Sequence, residues 1–545
     1  MPTETLLASA SPSAGGPRDW PAGRWWALAV ILVASAVVFV AGATSHIVLG
    51  DETYHFMFAR TWAEAGLAHR PTHNPLYPSG AAPGYYYVSE PIWPMVLAAL
   101  WQATGPVQWV AQAYQAAIYA GFLALVWRLG KHFLGPRGAL AAVLVAVSVP
   151  MAGAFSVMLY VDVAASAIIL AAIVLLVERR IFWAGVLIGL ALVTKRNAAF
   201  LAPPMALWLL LEDVPWRRPL DHARGRPERV EGRRIIRNLA LLVVPAVLVV
   251  LPDLFWRRHW IPSLSDPANP VHVLVRLTTW FSPQRLSSNI NNPLHLVLYL
   301  GAVVPALLAI SIIRRTWRKA DRFLWMLLGL YLVLLVLLFT LDTDVRYVMP
   351  VVPILVVLAA QGLEGWWEKR WVLALLAAVA FAHLGATAWV VDGKRHLTEG
   401  QQAVFAYLRT GTPEETRVMY PGEVIMIEAR RPVVWNHLTD PETGQTCLPT
   451  FLLETDPQKI STLLRFNKVD YLCVEESRIL SGPLAKTERG GYPRAFADNL
   501  PNLPFVEKVE GPWPGVTLWK LKDDPRGPTE NAPAGDGRPK PKPLP

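Results

Sequence analysis

The 545-residue chain alternates long apolar runs with short polar segments that are mostly basic. Eleven apolar runs can be marked, at 25–43, 107–127, 139–156, 160–177, 181–194, 198–211, 238–255, 293–313, 323–341, 348–363 and 371–391. A helix that crosses a bilayer needs roughly 20 apolar residues. Several runs between 139 and 211 fall short of that, so span boundaries are softest there. The first run exceeds the roughly 7–15-residue core of a secretory signal, so it reads as a retained anchor. Ala41-Gly42-Ala43 at its end is the one stretch that resembles a cleavage site.

After residue 397 the pattern changes. Short amphipathic and strand-like pieces alternate from 398 to 522, with Phe505–Val509 and Gly515–Lys520 flanking a Gly511-Pro-Trp-Pro turn like a hairpin. The predicted fold class is mainly α: a polytopic α-helical membrane protein of about eleven spans with a small C-terminal extracytoplasmic α/β domain. The predicted organisation is a disordered cytoplasmic N-terminus at 1–24, a membrane domain at 25–392, the α/β domain at 398–522 and a disordered Pro/Gly/Lys-rich tail at 523–545. Within the membrane domain, the long outer loop 45–106 carries helix-like pieces rich in Trp and Tyr, suited to lie in the membrane interface.

Composition agrees and removes alternatives. Hydrophobic residues make up 53% and charged residues only 17%, against about 25% charged in ordinary soluble domains. A disordered chain needs low hydrophobicity, and two Cys in the whole chain exclude a disulfide scaffold. Both Cys, Cys447 and Cys473, fall in the outer domain, where oxidation can occur. A disulfide between them competes with a simpler reading of Cys473 as a small core residue in a strand.

The net charge of +10 acquires meaning from its location. With the N-terminus inside, inner loops hold Arg128, Lys131 and Arg137, then Arg179 and Arg180, then eight Arg between 217 and 237, then Arg314, Arg315, Arg318, Lys319 and Arg322, then Lys369 and Arg370. The outer loops carry far fewer cations, as the positive-inside bias requires. No soluble segment presents a basic stripe with interleaved aromatics, so nucleic acid is not an expected partner.

What remains on the outer side is the chemistry. Asp51 and Glu52 follow the first run directly, Asp162 is the sole charge between two runs, and Lys195-Arg196 and Arg346-Tyr347 punctuate later outer turns. Each has a simpler use. Acids at a helix start favour the helix dipole and cap free amides, and an Arg near a helix end can snorkel. Together they put three carboxylates opposite three cations on one membrane face. A carboxylate can take a proton from an attacking hydroxyl, and cations can stabilise a departing phosphate. His55 and the His69/His73 pair invite a metal, but Pro71 opposes the helix that would align the pair. A divalent metal is therefore the weaker reading, and no cofactor is required.

The ordered set Asp51-Glu52, Asp162, Thr194-Lys195 and Arg346-Tyr347 before Pro350 and Pro353 resembles the GT-C glycosyltransferases, which include protein O-mannosyltransferases and the aminoarabinose transferases of lipid A. The resemblance covers about 25–392. It implies a polyprenyl-phosphate-sugar donor and inverting transfer to a lipid, glycan or protein acceptor on the extracytoplasmic face of the cell's inner or plasma membrane. Carried over by position, Asp51 would be the general base, Glu52 its neighbour or substitute, and Asp162 a support for acceptor or base. Lys195 and Arg346 would grip the phosphate, with Arg196 beside them. His55, Tyr85, Glu90 and Tyr347 would line the substrate site. Ala82-Pro83-Gly84-Tyr85 stands where bacterial members often have Pro-Pro-Leu, a departure that leaves the shape of the acceptor channel open. The same loop, with Asp51 to His55, also resembles the eukaryotic glucosyltransferase that completes the lipid-linked oligosaccharide.

A transporter of lipids or small solutes is the alternative. Transport sites sit near the midplane on interrupted, repeated helices, whereas here the apolar interiors are clean and no repeat is visible. A sensor or assembly protein that binds partners through its outer domain is a third class. Membrane lipids are partners under any of these readings.

Overall fold

The computed structural model describes residues 21–47, 51–66, 91–213, 228–260, 298–314, 321–338, 345–422, 424–435, 438, 440–441, 447–480 and 491–522, in two compact units divided between His396 and Leu397. The termini at 1–20 and 523–545 lie outside the described residues, as do His69, His73, Tyr85 and Glu90.

The first unit is helical: α1 (Pro21–Ala43), α2 (Asp51–Ala65), α3 (Ile92–Thr104), α4 (Gln108–Val147), α5 (Pro150–Val157), α6 (Val161–Val177), α7 (Ile181–Thr194), α8 (Ala202–Asp213), α9 (Glu228–Trp260), α10 (Val303–Ile313), α11 (Arg322–Leu338), α12 (Val352–Ala360) and α13 (Arg370–Lys394). Tighter 3-10 segments occupy Arg196–Leu201, Val345–Val351 and Gln361–Leu363. Among the described residues, five helical segments are long and apolar enough to cross a membrane: Gly23–Ala43, Gln108–Val147, Arg234–Phe255, Arg346–Leu363 and Arg370–Lys394. The bent pair α5 and α6, at 118°, makes a sixth as a broken span, and five shorter apolar helices accompany them.

Two expectations need correction. The loop expected between runs 107–127 and 139–156 is helical, because α4 continues through it and breaks only at Gly135 (φ 75°) before Pro136. Glycine takes that φ without steric cost, and proline supplies no N–H to continue the ladder. Nor is 139–156 one span. It is shared between the end of α4 and α5, whose first residue is Pro150, a position where a missing N–H costs nothing.

The core of this unit is built around α4, α6 and α12, and all nine residues of α12 are buried. Parallel helices α7 and α9 approach closely because α7 carries glycine at 185 and 189. A methyl carbon added there would stand 2.3 Å from the Leu242 carbonyl oxygen and 2.6 Å from that of Ala246. Small residues four apart let helix backbones meet in this way.

Ion pairs sort the helix ends into two groups. At one end, Arg128 holds Glu178 through two contacts of 2.7 Å, with His132 at 3.2 Å. Arg137 pairs with Glu368. Arg314 donates to the carbonyls of Gly362 (3.0 Å) and Glu364 (3.1 Å). These segments are the basic turns that the charge bias assigns to the inner side. The opposite end gathers the turns after α1, α5 and α7.

The second unit mixes helices and strands: α14 (Glu399–Gly411), β1 (Val418–Met419), α15 (Val424–Glu428), α16 (Leu448–Leu452), α17 (Pro457–Phe466), β2 (Tyr471–Glu475), β3 (Ile479–Leu480), β4 (Tyr492–Pro493), α18 (Arg494–Asn499), β5 (Val506–Val509) and β6 (Val516–Leu521). A four-stranded sheet has the order β1-β2-β6-β5, with β1 parallel to β2 and the other pairs antiparallel. The central β2 is buried along its whole length, and Cys473 faces Leu518 across the ladder. Both cysteines are free. Burial pushes the Cys447 thiol up to about 11 and raises that of Cys473 as well. A capping box starts α14: Thr398 Oγ1 accepts from the Gln401 amide at 3.2 Å, and Gln401 Oε1 from the Thr398 amide at 2.8 Å.

Candidate active site

The broken span between α5 and α6 organises the site. Met158–Tyr160 interrupt the helix, so Asp162 falls in the first turn of α6, and it is buried. Lys195 caps α7 in extended backbone, and its Nζ lies 2.8 Å from Asp162 Oδ2. The two side chains are 7% and 1% exposed, so this pair is shielded from water. Asp162 Oδ1 has no hydrogen-bond partner among the described residues. A buried carboxylate oxygen left open in this way is costly unless something else uses it. Asn197, the second residue of the following 3-10 segment, likewise keeps both amide atoms unpartnered among the described residues.

Helix α6 packs against both 3-10 segments, Arg196–Leu201 and Val345–Val351, and these two segments touch each other. Arg346 and Tyr347 therefore enter the same neighbourhood. The Arg346 guanidinium carbon lies 5.9 Å from the Tyr347 ring centroid, and the Tyr331 hydroxyl donates to the Tyr347 carbonyl at 2.5 Å. The side chains of Asp51 and Arg196 lie outside the described residues; Asp51 is the first residue of α2.

Glu52 has a partner that the sequence reading did not find. Arg395, just past α13, reaches Glu52 with Nη2 to Oε2 at 3.2 Å and Nε to Oε1 at 3.3 Å, and both side chains are fully buried. Arg395 also donates to Ser45 Oγ at 2.8 Å and to the Val157 carbonyl at 3.2 Å. The Leu159 amide approaches Glu52 Oε2 at 3.4 Å. Glu52 and Arg395 thus tie the start of α2 to the α1 end, the α5–α6 break and the α13 end.

Two glutamines of α4 complete the scaffold. Gln115 accepts from Trp93 Nε1 at 2.9 Å and donates to the carbonyls of Phe155 (3.0 Å) and Tyr160 (2.9 Å). It satisfies the freed carbonyls of the broken span, which otherwise have no water to turn to. Gln112 sits beside Val157 and Arg395; with its amide turned, it meets both at 3.2 Å. His55 is buried near Trp93, with ring centroids 5.9 Å apart. Helices α2 and α3 pack through Phe58, Trp62 and Ala98. The signal for these residues was an amide inside an apolar run. Among the described residues, no group of three or more His, Cys, Asp or Glu is placed to hold a metal ion.

This arrangement of a broken span, a packed helix pair and a charged turn cluster at one end is a fold shared with solved membrane-protein structures. The family model for dolichyl-phosphate-mannose-protein mannosyltransferases matches residues 89–225. ArnT from Cupriavidus metallidurans bound to undecaprenyl phosphate superposes with a TM-score of 0.62 at 15% identity, covering 91% of this chain and 97% of that one. The Archaeoglobus fulgidus oligosaccharyltransferase tethered with an acceptor peptide gives a TM-score of 0.53 at 11% identity, over 83% of this chain and 69% of that one. Its complex with an inhibitory peptide and a dolichol-phosphate gives 0.51 at 11%, over 84% and 70%. No curated protein sequence matches the chain significantly.

Proposed function

We propose that the protein transfers a sugar from a polyprenyl-phosphate-linked donor to an acceptor hydroxyl at the extracytoplasmic membrane surface, with inversion. The observation that carries this reading is the buried Asp162–Lys195 pair with its open carboxylate oxygen, at the helix end where α2 begins and Val345–Val351 packs. Structures of the same fold hold undecaprenyl phosphate or dolichol-phosphate, which supports a lipid-phosphate donor here.

In this reading the acceptor oxygen attacks the anomeric carbon as Asp51 takes its proton. The bond from that carbon to the phosphate oxygen breaks, and the polyprenyl phosphate leaves with the electron pair. Lys195, which Asp162 holds at 2.8 Å, supplies one cation to the departing phosphate. Arg346 supplies a second cation. The open oxygen of Asp162 orients the acceptor. The N-terminus is cytoplasmic and the second unit extracytoplasmic, with the basic turns on the inner side.

The test is Asp51→Asn in proteoliposomes supplied with a polyprenyl-phosphate sugar. Transfer should fall by about 10²-fold or more, the usual worth of a positioned base, with insertion unchanged. Wild-type turnover in that variant would remove Asp51 from the mechanism.

A further inference from the structure

A charged cleft among the described residues lies at the end away from the Asp162–Lys195 pair. It holds about 500 Å³ between the α6–α7 turn and α9, lined by Arg179, Arg180, Trp183, Arg234, Arg237 and Asn238. Its place follows from the glycine contact already described. Gly185 against Leu242 sets α7 and α9 in register, so the first turn of α7 stands beside Arg237 and Asn238. Arg179 adopts φ 63°, a left-handed conformation that favours glycine, and this turns the chain directly into Arg180 and α7. Four guanidinium groups thus border one cleft. Among the described residues no acid lines it, and the neighbouring Glu178 is held by Arg128 and His132.

Two features select the ligand. Arg234 is the first residue of the apolar span Arg234–Phe255, so the cleft sits at headgroup depth. From it, one face of α9 leads away through the exposed Leu241, Val244, Leu248 and Leu251, spaced as one helical stripe. On the other side, Phe182 and Trp183 are exposed beside the guanidinium groups, where amphipathic rings settle at a membrane surface. A free phosphate would use the cations and leave the stripe without a function. A phospholipid uses both.

We propose that this cleft binds the phosphodiester headgroup of an anionic glycerophospholipid, cardiolipin or phosphatidylglycerol, with its acyl chains along the exposed face of α9. The site is separate from the proposed transfer chemistry and does not depend on it.

The experiment is native mass spectrometry of the full chain released from nanodiscs of stated composition: phosphatidylcholine with cardiolipin, with phosphatidylglycerol, or alone. Wild-type protein should retain anionic lipid, and R180Q/R237Q should retain about 25-fold less, at roughly fivefold per cation near a charged surface. R180K/R237K should restore most retention, which separates lost charge from lost folding. Excess inorganic phosphate should not displace the lipid. Equal retention by the wild-type and glutamine variants, equal retention of phosphatidylcholine, or displacement by inorganic phosphate would overturn the proposal.

Discussion

Two buried ion pairs stand at the same end of the helical unit, and they are built to different standards. Arg395 and Glu52 bridge distant parts of the chain, with both side chains fully buried and every direction of the guanidinium fork directed at an acceptor. Asp162 and Lys195 meet through one 2.8 Å contact, and Asp162 keeps an open oxygen among the described residues. Removing charges from water is expensive, and attraction repays the cost only when the remaining donors and acceptors are satisfied. The first pair meets that condition; in the second, Asp162 Oδ1 has no partner among the described residues. The first reads as a clamp that fixes the α5–α6 break, and the second, under the proposed function, as the place held for a substrate.

The largest effect that would separate them is loss of one clamp partner. Arg395→Met leaves the Glu52 carboxylate buried without its cation, which costs about 3–5 kcal/mol in comparable sites. The variant should be recovered poorly from membranes and should unfold at markedly lower temperature in detergent. The double variant Glu52→Gln with Arg395→Met should regain part of that loss, because no charge is left stranded. If the double variant is as unstable as the sum of the singles, the pair is not a coupled clamp.

The next effect tests the open pair. Asp162→Asn keeps a side-chain oxygen for Lys195 but removes the charge. Transfer should fall by about 10²-fold or more, while the melting temperature in detergent should move far less than for Arg395→Met. An Asp162→Asn protein that loses stability and activity in step would make the second pair another clamp.

How much of this could be read from the sequence divides along the same line. Each of the eleven apolar runs overlaps helical backbone, since hydrophobic run length reports burial directly, and Asp162 and Lys195 stood out as charges between such runs. Their contact did not, because positions 33 apart meet only when α6 and α7 fold back on each other at the turn through Glu178–Arg180. Arg395 was hidden for a different reason. Lys394-Arg395-His396 looks like any basic cluster at a span end, and its acid lies 343 positions away. Gln112 and Gln115 carry no charge and vanish inside an apolar run, although satisfying a broken helix calls for such amides. The kink at Gly135-Pro136 was spelled out in the residues but read as a loop, since the basic residues around it suggested one.

The smallest effect provides the baseline for the comparison. At the opposite end, Arg128 and His132 hold Glu178 in a pair whose Arg side chain is half exposed. Burial alone would push the Glu178 carboxyl up, but the hydrogen bonds and charges of Arg128 and His132 outweigh it and keep the group below its ordinary value. A depressed carboxyl stabilises the fold above its unfolded-state value, and that contribution is lost as pH falls through the lower folded-state value. Glu178→Gln should therefore cost less than about 1 kcal/mol at neutral pH, as solvent-screened pairs do. The gap between variant and wild type should close as the solution is acidified. Melting curves of both proteins across that acid range decide it. If the gap matches that of Arg395→Met, exposure does not grade these pairs, and the contrast between clamp and open pair must rest on hydrogen-bond completeness alone.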